Sequence, residues 1–356
     1  MKEINYNICN DMKISLRYNK NCFFIELLNM DLAYFKVDNK IEDPDIIINI
    51  GKFKPSNDGC FLVDNRCYIK HNYLYCKDID GMVQWDVEIF GFEEGITTIN
   101  FDYNILNRNS FIPCLPIQNF LIEGLLFYKL FRKGYFLIHS AGVCKNNFGI
   151  LMAGRGGAFK TSLSMDFIRK KEYQFFGDDM VILNKNRILP FPISLVRFGF
   201  MLKNLPTENF RNRLDKIKMI KSIINNYNHL DNTYIAENSQ INILLSITKR
   251  NELMELEVKK EPNKKIIIKK LIYSNQLEMS LHGSHMPKLT GMTSNHFYRY
   301  LLSYNYIFPK SKLANYFYEL EDELLETFKD VPIYEVDIPE KYNANIFDEL
   351  CKILNL

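Results

Sequence analysis

An apolar run, Phe148 to Ala153, breaks at a glycine-rich turn, Gly154-Arg155-Gly156-Gly157-Ala158-Phe159, and Lys160, Thr161 and Ser162 follow at once. From Thr161 to Arg169 the apolar residues Leu163, Phe167 and Ile168 recur at helical spacing, with Ser162, Asp166 and Arg169 elsewhere on the wheel. A second apolar run then ends in paired carboxylates, Asp178 and Asp179. Strand, small-residue loop, lysine, hydroxyl, helix, strand, acidic pair is an order that few folds accommodate, and it is the order that nucleoside-triphosphate chemistry requires.

Each part has a physical reason. Small residues from Gly154 to Ala158 let backbone N–H groups converge on phosphate oxygens, and the helix start adds partial positive charge. Lys160 is placed to neutralise the β- and γ-phosphates of ATP, and the Thr161 hydroxyl to ligate Mg²⁺. A carboxylate at the end of the next strand reaches the same metal or its water shell. The loop departs from the pattern G-x-x-x-x-G-K-[ST] at its sixth position, where Phe159 stands in place of glycine. Glycine is favoured there because it reaches positive φ cheaply. The expectation is therefore that Phe159 holds an ordinary backbone conformation, or that the loop shifts slightly, with Gly156 and Gly157 supplying the freedom.

These residues resemble the catalytic core of the HPr kinase/phosphorylase superfamily, whose P-loop fold is shared with phosphoenolpyruvate carboxykinase. His139, at the end of an apolar segment upstream of the loop, the Lys160–Thr161 pair and Asp178-Asp179 all match the family's order. The phrase Val331-Pro332-Ile333-Tyr334-Glu335-Val336 resembles its closing strand. The resemblance implies ATP-dependent phosphoryl transfer to a serine or threonine hydroxyl of a peptide or protein. Asp178 is then the general base, Asp179 the metal-side carboxylate beside Thr161 and Asp178, and His139 orients the base or contacts phosphate. Arg155 and Arg197 are candidates for stabilising transition-state charge. After Asp179, HPr kinase carries a glutamate-arginine-glycine signature where this chain has Ser194-Leu195-Val196-Arg197-Phe198-Gly199. That difference favours another acceptor, and the family's peptide-modifying members, such as the lasso-peptide kinases, supply one candidate. A small-molecule kinase acting on free serine or a sugar, and a non-catalytic nucleotide-binding module, are the alternatives.

The chain's 356 residues, 47% hydrophobic and 24% charged, are those of a globular protein. A net charge of +3 does not argue for nucleic acid, and no apolar segment approaches a membrane span. With no visible signal peptide, the expectation is a cytoplasmic enzyme with reduced thiols. Its cysteines, Cys9, Cys22, Cys60, Cys67, Cys76, Cys114, Cys144 and Cys351, form no C-x-x-C pair and read as small buried hydrophobes. His282, His285 and His296 lack the companions of a metal cluster. Homo-oligomerisation stays open.

The expected fold class is α/β, or α+β overall: a P-loop kinase core of HPr kinase/phosphoenolpyruvate carboxykinase type over residues 113–356, preceded by an antiparallel β-rich domain over residues 1–112. Strands are expected at Lys13 to Tyr18, Cys22 to Leu28, Ile46 to Ile50, Cys60 to Val63, Arg66 to Lys70 and Val83 to Phe90. Ile117 to Phe131 reads as a helix capped by Gly134, and Tyr135 to Ile138 as a strand delivering His139. Further on, Phe210 to Ile224 reads as a basic helix and residues 315 to 329 as an acidic one. Ile241 to Thr248 and Glu255 to Lys259 read as a strand pair around Lys249 to Glu252, and Lys259 to Lys270 as an exposed edge strand.

Overall fold

The computed structural model describes residues 1–19, 25, 28–29, 32–80, 83–105, 121–193, 198–199, 202, 233–260, 262–281 and 296–356. The described residues are mixed α/β, with two large mixed sheets and six α-helices. They form two compact units, one of residues 1–133 and 276–319, the other of residues 134–275 and 320–356. The boundary expected near residue 112, the segment 210–224, Arg197, His282 and His285 lie outside the described residues.

The first unit holds β1 (Lys2–Ile8), β2 (Met12–Tyr18), β3 (Lys36–Val37), β4 (Ile46–Ile50), β5 (Phe61–Val63), β6 (Cys67–Lys70), β7 (Tyr73–Asp80), β8 (Val83–Phe90) and β9 (Thr97–Ile105). They form one sheet in the order β3-β1-β2-β4-β9-β8-β7-β6-β5. The sheet is mixed rather than antiparallel, because β4 runs parallel to both β2 and β9. Alternation explains its two faces. Ile14 and Leu16, Ile46 and Ile48, Val87 and Ile89, and Ile99 and Phe101 are buried on one face. Asn49, Asn100 and Glu88 sit in register on the other, where Asn100 bridges Asn49 and the Glu88 carboxylate. Trp85 is core, 2% exposed, as its aromatic neighbourhood suggests. A π-helical turn, Leu121–Leu126, leads into α1 (Phe127–Arg132). Gly134 follows at φ +81°, the left-handed conformation expected just past a helix end.

The second unit starts with β10 (Phe136–Ile138), β11 (Ser140–Lys145), β12 (Phe148–Gly154), α2 (Lys160–Lys171), β13 (Gln174–Gly177), β14 (Val181–Asn184), β15 (Arg187–Leu189) and β16 (Ser239–Arg250). Next come β17 (Glu257–Lys260) and α3 (Lys264–Leu281). The chain passes into the first unit at Gln276, within α3, and stays there through α4 (His296–Ile307) and the start of α5 (Lys312–Thr327); it then closes the second unit with β18 (Ile333–Pro339) and α6 (Ala344–Leu354).

Two expectations are corrected here. The strand segments either side of Lys249 to Glu252 do not pair with each other, because β18 enters between β16 and β17, parallel to the first and antiparallel to the second. The segment expected as a lysine-rich edge strand is instead mostly α3. Its buried residues Ile267, Ile268, Leu271 and Ile272 repeat at helical, not alternating, spacing.

One face of the second sheet carries Val143, Ile150, Met152, Leu245, Ile247 and Val336, covered by Leu163 and Phe167 of α2 and by Ile346, Phe347, Leu350 and Leu354 of α6. Asn343 caps α6 by accepting the Ile346 N–H at 3.2 Å. Cys67, Cys76, Cys144 and Cys351 are buried, with Cys67 Sγ 2.8 Å from Cys76 Sγ, whereas Cys9 and Cys60 are only partly buried. Burial pushes the Cys144 thiol up to about 11. Among the described residues no helix is long and apolar enough to cross a membrane.

Candidate functional site

Strand direction gathers the chemistry at one edge of the second sheet. β12 and β16 run parallel, with Gly154 opposite Ile247. β11 runs antiparallel to β12, so its first residue, Ser140, pairs with Ala153 near the end of β12. β13 runs antiparallel to β11 in turn, with Gly177 opposite Gly142. The residue before β11 (His139), the loop after β12 and the residues after β13 (Asp178 and Asp179) therefore emerge at the same edge, the carboxyl edge of β12 and β13. Ligands of open α/β sheets collect at such an edge.

Side chains meet there as well. Lys160 Nζ donates to the carbonyl of Gly154 at 2.6 Å and lies 3.1 Å from His139 Nε2. With Lys160 as an ammonium donor, Nε2 is the acceptor and the ring proton falls on Nδ1. Both side chains are buried, Lys160 at 6% and His139 at 4% exposure. Thr161 Oγ1 donates to Asp178 Oδ2 at 2.9 Å. Asp178 and Asp179 are half-buried. Hydroxyl and carboxylate oxygens are hard donors that suit Mg²⁺, an ion that commonly takes one or two protein carboxylates and completes its shell with phosphate and water. Among the described residues no group of three or more His, Cys, Asp or Glu side chains forms an all-protein cage.

The loop itself is open where a ligand would need space. A Cβ built on Gly156 or Gly157 meets nothing within 4 Å, and Gly157 holds φ +87°. At Gly154 a Cβ would lie 2.6 Å from the Ile247 carbonyl, so the strand end and loop approach too closely for a side chain. The Ala158 N–H closes the turn onto the Arg155 carbonyl at 3.0 Å. Arg155 points back to the second unit's α3, its Nη1 reaching the Ser274 carbonyl at 3.5 Å. Ser162, on the first turn of α2, is buried.

Phe159 does not hold the ordinary backbone conformation that is one of its two expected outcomes. It stands at φ +61°, ψ +20°, the left-handed conformation that glycine would adopt there, and its side chain makes no capping hydrogen bond to α2. The first-turn N–H groups of α2 thus lack a capping side chain from this position, which suits an anion-binding helix start. A left-handed phenylalanine costs about 1–2 kcal/mol, so something must hold it. The ring lies 5.3 Å from that of Tyr342, and the Lys249 ammonium sits 5.2 Å over it. Tyr342 is fixed in turn by donating to Asp166 Oδ2 at 2.7 Å. Burial, then the Asp166 carboxylate, pushes the Tyr342 phenol well up, so it remains the donor.

This predicts an inverted substitution order. Phe159→Gly should be more stable than Phe159→Ala by about 1 kcal/mol, whereas at an ordinary helical position alanine wins by about 0.5–1 kcal/mol. Urea unfolding of the two variants measures it, and alanine equal to or better than glycine would contradict the left-handed conformation.

Sequence reasoning did not single out Lys249, Tyr342, Ser274 or Asn275. Lys249 is near the end of β16 and Tyr342 lies just past the end of β18, two strand ends that the parallel pairing of those strands brings together beside the loop. No family model matches this chain, and no curated protein matches it in sequence.

Proposed function

We propose that this chain is an ATP-dependent kinase of HPr-kinase-like type that transfers the γ-phosphoryl group to a serine or threonine hydroxyl of a peptide or protein. One observation carries the reading: Lys160, the open glycine turn and the Thr161–Asp178 contact meet at one sheet edge, at the uncapped start of α2. Phosphoryl transfer asks a protein mainly for in-line positioning and charge neutralisation. The loop amides and Lys160 bind the triphosphate. Thr161, with Asp179 and Asp178, would hold Mg²⁺, which when bound supplies Lewis-acid neutralisation of phosphate charge. Asp178 accepts the acceptor's hydroxyl proton as its oxygen attacks the γ-phosphorus and the bond to the β-bridging oxygen breaks, releasing ADP. His139, bonded to Lys160, sets where that ammonium sits. The cytoplasm, with its ATP and reduced thiols, is the proposed location.

Mg²⁺-ATP at about a hundred times its dissociation constant should stabilise the protein by roughly 2.7 kcal/mol. Thermal unfolding with and without the nucleotide measures this. Transfer of radiolabelled γ-phosphate to serine-containing peptides, with alanine-substituted peptides as controls, tests the acceptor. Stabilisation without transfer to any peptide, amino acid or sugar would favour the non-catalytic nucleotide-binding alternative. No stabilisation at all in folded protein would end the kinase reading.

A further inference from the structure

We infer that Asn275, on α3, is the positioning residue that fixes His139 against Lys160; the inference rests on the kinase reading for its role, though not for its geometry. Among the described residues β10 is an edge strand, paired with β14 alone. The opposite side of an edge strand presents backbone groups that need partners when buried. Leu137 C=O and His139 N–H point to that same side, because they belong to residues two apart in an extended chain. Asn275 meets both. Its Oδ1 accepts the His139 N–H at 2.8 Å, and its Nδ2 donates to the Leu137 carbonyl at 3.2 Å. One side-chain amide thus replaces the strand that would otherwise continue the sheet.

The environment makes the clamp rigid. Asn275 is 1% exposed, so water does not compete for either bond. A mid-helix asparagine is mildly unfavourable for the helix, and this one is held by two buried bonds to a distant strand. The clamp acts at the residue whose imidazole stands 3.1 Å from Lys160 Nζ. The adjacent residue of α3, Ser274, receives the Arg155 guanidinium on its carbonyl. A single turn of α3 therefore registers both the strand that carries His139 and the glycine-rich loop. Asn275 acts through His139 and touches no phosphate itself.

The test is on the full chain. Asn275→Asp keeps the shape and the acceptor but faces the Leu137 carbonyl with an oxygen; Asn275→Ser is too short for either bond. Long-range proton–nitrogen correlation spectra of the imidazoles, with His139→Gln for assignment, read the ring directly. The expected result is an Nδ1–H tautomer for His139 in the wild type that shifts or mixes in both variants. Amide exchange at His139 should be slow in the wild type and accelerated in Asn275→Ser. Turnover should fall about 10–100-fold with the ATP-induced thermal shift retained. An unchanged imidazole signature in a folded Asn275→Asp or Asn275→Ser protein overturns the inference, whatever happens to turnover. So does fast exchange of the wild-type His139 amide, which needs no variant. Because neither spectroscopic readout needs phosphoryl transfer, a protein inactive as a kinase still decides the role of Asn275.

Discussion

Replacing Lys160 with alanine should abolish both nucleotide-dependent stabilisation and phosphoryl transfer, lowering turnover by at least about 10²–10³-fold. The lysine is 6% exposed, and its ammonium is already oriented by the Gly154 carbonyl and His139. A charge held in place beside a phosphate loses no reorganisation energy when the phosphate arrives, so its removal is felt almost wholly in the liganded state. The unliganded protein should change much less. Losing the donor to the part-buried Gly154 carbonyl costs at most about 1–3 kcal/mol, whereas removing a buried charge relieves its desolvation. Thermal unfolding of wild type and variant, each with and without Mg²⁺-ATP, separates the two effects. A variant stabilised by nucleotide as strongly as wild type would take Lys160 out of the site.

Local chemistry makes the glycine-rich loop legible in the sequence: small residues, lysine, hydroxyl and an amphipathic start of α2 each carry their signal within a few positions. The alternating strands β2, β4 and β8 are legible for the same reason, since one buried face imposes period two. What escapes is non-local or degenerate. Ile266-Ile267-Ile268 flanked by lysines reads as a β-branched edge strand, yet a run of three isoleucines fits either period, and burial of Leu271 and Ile272 selects the helix. The insertion of β18 between β16 and β17 joins segments some eighty residues apart and leaves no trace in either. Phe159 in a left-handed conformation contradicts propensity, because Tyr342 and Lys249 arrive from two other strand ends to hold the ring. Asn275 is the extreme case. An asparagine within a helix carries no signal by itself, and its partners are backbone groups of residues 137 and 139.

Asp178→Asn should lower turnover by about 10²–10⁴-fold while leaving nucleotide stabilisation nearly intact. Asparagine keeps the shape and can still accept the Thr161 hydroxyl that Asp178 Oδ2 accepts at 2.9 Å, so the loop and α2 have no reason to move. What disappears is the carboxylate charge and with it the capacity to take a proton. The Thr161 contact also puts this carboxylate beside the residue expected on the metal side, so the two roles must be told apart. Asp179→Asn is the comparison. If Asp178 is the base, its variant stays slow at every Mg²⁺ concentration, and Asp179→Asn shows the raised Mg²⁺ requirement. If turnover of Asp178→Asn recovers as Mg²⁺ is raised, the roles exchange: Asp178 and Thr161 then form the metal side, and Asp179 takes the proton. A carboxylate next in sequence at the same strand end can make that exchange without moving the strand, so the assignment belongs to the kinetics of these two variants.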